Sequence, residues 1–97
     1  MFICNFTRAA RQELIEAQDW YKSERQGLGR EFRAKIDAAV ERMCANPEQF
    51  PVVFKNVRRA LVRRFPYILF FVIEGDTLIV LACFHAKRNP RRWQERV

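Results

Sequence analysis

Glycine, histidine and acidic residues are the scarce materials of this chain, and each scarcity excludes something. Three glycines in 97 residues leave no glycine-rich loop to cradle a phosphate, and no catalytic serine arrangement accompanies them. His85 is the only histidine, so any acid-base scheme that uses imidazole must use that residue. Cys4, Cys44 and Cys83 are odd in number and widely spaced, without the close pairs of a metal site. They read as small buried hydrophobes in a reducing compartment, with no metal and no cofactor implied. No apolar run reaches the roughly 18 residues of a membrane span. The segment from Met1 to Arg11 lacks the apolar stretch and cleavage site of a secretory signal, and the expectation is a cytoplasmic protein.

What is present is a chain that is 49% hydrophobic with a net charge of +7. That length and composition support one domain over residues 1–97 with one core, because two cores would each fall below the usual size for unaided folding. The charge is unevenly placed. Residues 1–54 hold eight Lys/Arg against eight acids, whereas residues 55–97 hold ten Lys/Arg against Glu74, Asp76 and Glu95. The whole excess therefore belongs to the second half, which predicts an acidic or polyanionic partner there.

Phe2 to Phe6 alternates as a short strand, with Phe2, Cys4 and Phe6 on one face, and is expected to join the main sheet. Thr7 is placed to cap a helix on which Ala10, Leu14, Ala17 and Tyr21 recur at helical spacing. Gly27 and Gly29 are read as the connection to a second helix with Leu28, Phe32, Ile36, Ala39, Val40 and Met43 on one stripe. An i,i+4 pair of Glu31 with Lys35 is expected on its outer side. Asn46-Pro47 ends that helix, and Phe50-Pro51 continues an irregular link.

The stretch Val57 to Arg64 reads as a strand with Ala60, Leu61 and Val62 in its middle. Its arginines, Arg58, Arg59, Arg63 and Arg64, occupy both parities, which predicts an edge or rim position. Phe65-Pro66-Tyr67 marks a boundary. Residues 67–73 and 77–85 then form an antiparallel pair around Gly75, which can take the positive φ of a tight hairpin. These two strands carry almost no polar side chain and expect cover on both faces. Two helices cover one face. For the other there is only the tail, where Pro90 could open a short helix bearing Trp93, so an apolar face is expected to remain open for a partner. Trp93 either staples the tail to the sheet or stays available to a target. Trp20, Tyr21, Phe32, Phe50 and Phe54 read as core and contact aromatics. The fold class is α+β: an N-terminal strand and helical hairpin packed on a small antiparallel sheet, in the order β-α-α-β-β-β, with a short C-terminal helix.

Five segments in this order carry a family resemblance: FTRAARQELIEAQDWY at 6–21, GLGREFRAKIDAAVERM at 27–43, NPEQFP at 46–51, RRALVRRFPYILFF at 58–71 and VLACFHAKRNPRRW at 80–93. The chain resembles the RelE/ParE superfamily of toxins from bacterial type II toxin-antitoxin systems over almost its whole length. The resemblance implies a growth-arresting toxin with a role in plasmid stabilisation. It also implies a cognate antitoxin whose C-terminal segment wraps the toxin in a hetero-oligomer. RelE-like members cut mRNA on the ribosome without a metal; ParE-like members keep the fold and act on DNA gyrase.

Metal-free RNA cleavage needs a base near the 2'-OH, an acid at the leaving oxygen and cations around the phosphate. Arg59 or Arg63 could clamp the phosphate, with His85 as acid and Tyr67 or Lys87 assisting, which gives the catalytic set if the chain is an endoribonuclease. The competing reading makes Arg58, Arg59, Arg63, Arg64, Lys87, Arg88, Arg91, Arg92 and Trp93 a surface that grips nucleic acid or a protein target. The ending His85-Ala86-Lys87-Arg88-Asn89-Pro90 resembles the ParE branch. Around residues 52–56 only Lys55 stands where the nuclease branch has a lysine cluster, and no terminal tyrosine follows the last strand. The favoured expectation is gyrase inhibition. The alternatives are ribosome-dependent mRNA cleavage, or a nontoxic nucleic-acid-binding or structural member.

Overall fold

The computed structural model describes residues 2–97; Met1 lies outside the described residues. The elements are β1 (Ile3–Phe6), α1 (Arg8–Glu24), α2 (Leu28–Ala45), a 3-10 turn (Pro47–Gln49), β2 (Val52–Phe54), β3 (Val57–Leu61), β4 (Tyr67–Glu74), β5 (Thr77–His85) and α3 (Arg91–Gln94). The class is α+β as expected. They build one five-stranded sheet in the order β1-β5-β4-β3-β2. Two details correct the sequence reading. β1 runs parallel to β5, from Ile3 opposite Thr77 to Phe6 opposite Val80, so the sheet is not wholly antiparallel. The link after Pro51 contains a strand, β2, which pairs with β3.

α1 begins where Thr7 Oγ1 accepts the Ala10 N–H at 3.1 Å, one of the donors a helix start leaves without an intrahelical partner. The hairpin connection is shorter than expected: α2 starts at Leu28, so Gly29 sits inside the helix. There a Cβ would lie 3.0 Å from the Gln18 carbonyl and 3.1 Å from Lys22 Cβ, and the missing side chain is what lets α1 and α2 approach. Glu31 pairs with Arg25 at 3.0 Å, not with Lys35. Gly75, at φ +62°, makes the β4-β5 turn as anticipated.

Period-two alternation along β4 divides the core between the two faces of the sheet. Leu69 and Phe71 pack with Leu14, Tyr21, Phe32, Ile36 and Met43 from the helices. Phe70 and Val72 pack with Val57, Ala82, Phe84 and Trp93 on the other side. In β5 the register skips Leu81: Phe71 opposes Val80 while Phe70 opposes Ala82. The bulge reverses parity, so Leu78, Val80 and Cys83 face the helices while Ala82 and Phe84 face Trp93. Trp93 settles the tail's role. It is 2% exposed and stacks on Phe70 with centroids 4.2 Å apart, so it staples the tail to the sheet. The second face is covered over its middle and stays open toward Leu61, which is 55% exposed. Trp20 is 56% exposed and is not a core residue, whereas Tyr21 and Phe32 are.

Candidate functional site

The arginines of the third strand separate once the pleat is known. Alternation places Arg58 and Ala60 toward the helices and Val57, Arg59 and Leu61 on the opposite face. The Arg58 guanidinium donates to the carbonyls of Phe50 at 2.8 Å and Glu48 at 3.2 Å, so it holds the link before β2. Arg59 is exposed and enters none of the four ion pairs among the described residues. β3 stops at Leu61, and Arg63 and Arg64 stand in the turn that follows, Arg64 with φ +69°. β3 is also not the outermost strand, because β2 flanks its first half; only its second half behaves as an edge. There Arg42 donates from Nη2 to the Leu61 carbonyl at 3.1 Å.

On the face that carries Arg59 lies a groove of about 220 Å³. Cross-strand register builds its floor: Ile68 opposes Phe84, and Phe70 opposes Arg59. Val53 and Arg59 form one wall; Arg88, Pro90, Trp93 and Gln94 form the other, and His85 stands at the end. A larger concavity of about 550 Å³ lies at the helical hairpin, lined by Gln18, Asp19, Lys22 and Arg30. Its charges are mixed and its wall is on the neutral half of the chain, so the smaller groove is the stronger candidate.

One buried carboxylate holds the second wall in place. β1 ends at Phe6, opposite Val80, and leaves the remaining edge of β5 without a strand partner. Glu13, 9% exposed on α1, fills that position: its Oε1 accepts the Cys83 N–H at 3.1 Å. Arg96 donates to Glu13 Oε2 at 2.7 Å and to the Leu81 carbonyl at 2.8 Å. Arg88 reaches Glu13 Oε2 at 3.4 Å, with its guanidinium 4.0 Å from the Phe84 ring centroid. Two side chains thus extend the hydrogen-bonding pattern of β1 and tie α1, the bulge and the tail together. Neither Glu13 nor Arg96 was singled out from the sequence. The available signal was an acid at the i+3 position of the apolar stripe Ala10, Leu14, Ala17, which is a buried face.

His85 opposes Tyr67 across β4 and β5, with ring centroids 5.3 Å apart. Its Nδ1 accepts the Lys87 N–H at 3.1 Å, so in the neutral ring the proton sits on Nε2. Burial raises the Tyr67 phenol above its usual range, with Tyr21 and Cys83 adding to the effect, and it holds its proton at neutral pH. Of the catalytic set, Arg59 and His85 both line the groove, but the His85 ring packs beside Tyr67 on the helical side of the sheet. Tyr67 lies beside His85 in a second hollow with Trp20 and Glu16, Arg63 stands in the turn after β3, and Lys87 is exposed beyond β5. The groove lining holds one imidazole and no carboxylate. Arg91 and Arg92 are exposed on α3.

The ParE toxin of the type II toxin-antitoxin system parDE supplies a family model that matches residues 4–90. The chain belongs to this family. No curated protein matches it significantly. Among solved structures, a chain described as the chromosomal ParDE toxin-antitoxin system from P. aeruginosa superposes with a TM-score of 0.70 at 22% identity. The match covers 88% of the present chain and 96% of that one. At that identity the likeness speaks for the fold alone. The ParE-family assignment makes this a type II toxin-antitoxin toxin and places it on the branch expected from the sequence.

Proposed function

We propose that this ParE-family toxin arrests growth by inhibiting DNA gyrase through protein contact, and that a cognate antitoxin neutralises it by covering the basic, partly apolar surface of the sheet. The observation that carries the reading is the composition of the Arg59 groove. It offers a free guanidinium above an apolar floor, and it lacks the paired base and acid that phosphoryl cleavage requires. Arg63, Tyr67 and Lys87 stand outside it. Val53 in the groove wall and Leu61 on the same face of β3, at 40% and 55% exposed, add apolar surface that suits coverage by a partner chain.

Induced expression tests this in cells. Growth should stop with plasmid DNA relaxed and messenger RNA intact, and co-expression of the antitoxin should restore growth. Cut messenger RNA with normal supercoiling would overturn the reading in favour of an endoribonuclease.

A further inference from the structure

Cys4 and Cys44 are far apart in the sequence, and the fold brings them together. Cys4 packs from β1 against the helical core beside Phe2 and Phe6, and Cys44 reaches the same cluster from the last turn of α2. The Cys4 thiol hydrogen-bonds the Cys44 sulfur, and both residues are partly exposed, whereas Cys83 is buried. We infer that this thiol pair is a redox-sensitive tether: a hydroperoxide oxidises it to an intramolecular disulfide that ties the outermost strand β1 to the end of α2. The tether is independent of the toxin's target.

The Cys44 sulfur, which accepts the Cys4 S–H, attacks a peroxide oxygen. The O–O bond breaks, leaving a Cys44 sulfenic acid and, from hydrogen peroxide, one water. The Cys4 sulfur then displaces the hydroxyl group, the S–S bond forms, and a second water carries away the oxygen with the remaining thiol proton. The two sulfurs lose two electrons and the peroxide gains them. Burial raises both thiols above their usual range, so they react slowly at neutral pH and the pair answers sustained oxidant, not a brief pulse. Cys83 is no substitute: Cys4 opposes Leu78, and Cys83 lies further along β5 at 1% exposure. Both members of the pair stand at the margin of the fold, on an outermost strand and one residue before a helix end, where backbone can yield to disulfide geometry. The bond closes a loop of roughly 40 residues around the helical hairpin and so restricts the unfolded chain. Arg59 and its groove lie on the opposite face of the sheet, so oxidation makes the folded toxin harder to unfold and leaves that surface unchanged.

Mass spectrometry of the full chain tests the tether. After hydrogen peroxide treatment, unfolding and alkylation with N-ethylmaleimide, the monomer should carry one adduct, at Cys83, where the reduced protein carries three. A tryptic digest should give residues 1–8 joined to residues 43–55, each peptide holding one cysteine. The oxidised chain should melt about 10 °C or more above the reduced one. Dithiothreitol should remove the gain, and Cys4→Ser or Cys44→Ser should never acquire it. The parent chain is compared with itself in two redox states, so a poorly folding variant does not decide the outcome. Three adducts after prolonged treatment, a sulfinic or sulfonic acid at Cys44 without a link, a disulfide between two chains, a link through Cys83, or a linked chain with an unchanged or lower Tm would each overturn the inference.

Discussion

Replacing Glu13 tests the idea that one carboxylate stands in for a missing strand. In Glu13→Ala the buried Cys83 N–H loses its acceptor, a loss of about 1–3 kcal/mol. Arg96 and Arg88 also lose their partner, but their side chains are 27% and 39% exposed and recover water, so their share is discounted to about 1 kcal/mol. The sum is about 2–4 kcal/mol, a large part of the stability of a domain this size, and corresponds to a fall in Tm of about 10–25 °C. Glu13→Gln keeps an acceptor for Cys83 while setting an amide against the guanidinium, and should lose about half as much. Urea and thermal unfolding followed by circular dichroism measure both. Amide exchange should be faster at Cys83 in the alanine variant, and a double-mutant cycle with Arg96→Ala should give a coupling of about 1 kcal/mol. A Glu13→Ala protein within about 0.5 kcal/mol of the parent would refute the strand-substitute account.

Trp93→Ala removes the staple of the second face, so it should lower stability by about 3–5 kcal/mol and expose Phe70 and Phe84 to a hydrophobic dye. Arg58→Ala and Arg59→Ala should part company: the first loses two carbonyl contacts and about 1–2 kcal/mol, the second leaves unfolding within about 0.5 kcal/mol and weakens target action. Burial, with the Glu13 charge adding, pushes the Cys83 thiol up to about 12, and burial beside Cys44 pushes Cys4 up to about 11, from 9.0 in each case. The unfolded chain then loses these protons first, so stability is full below about pH 9 and falls as pH rises toward the folded values. Cys83→Ala should flatten that alkaline decline in a pH series of urea melts.

The helical hairpin and the β4-β5 pair were legible because each rests on a local rule: a 3.6-residue stripe behind Thr7, and an apolar run broken at Gly75. β2 was not. It spans three residues, Val52 and Val53 are exposed, and it is defined by pairing with β3 and not by any pattern of its own. The bulge at Leu81 was hidden for a related reason. β5 is apolar on both faces, so no alternation in the sequence registers where parity reverses. That reversal decides that Cys83 faces the helices and Phe84 faces Trp93. Among the site residues, a cluster of arginines could be read but not sorted. Arg58 as a structural donor, Arg59 as a free one and Arg63 as a turn residue differ through pleat and strand length, which are properties of the sheet.

Gyrase supercoiling and cleavage-complex formation with the purified toxin, run beside messenger RNA cleavage on translating ribosomes, measure the target directly. Supercoiling should be inhibited and cleavage complexes should accumulate, both effects weakened by Arg59→Ala, with messenger RNA left whole. Unaffected gyrase with cut messenger RNA would contradict the proposed target and make Arg59 and His85 the core of a nuclease site.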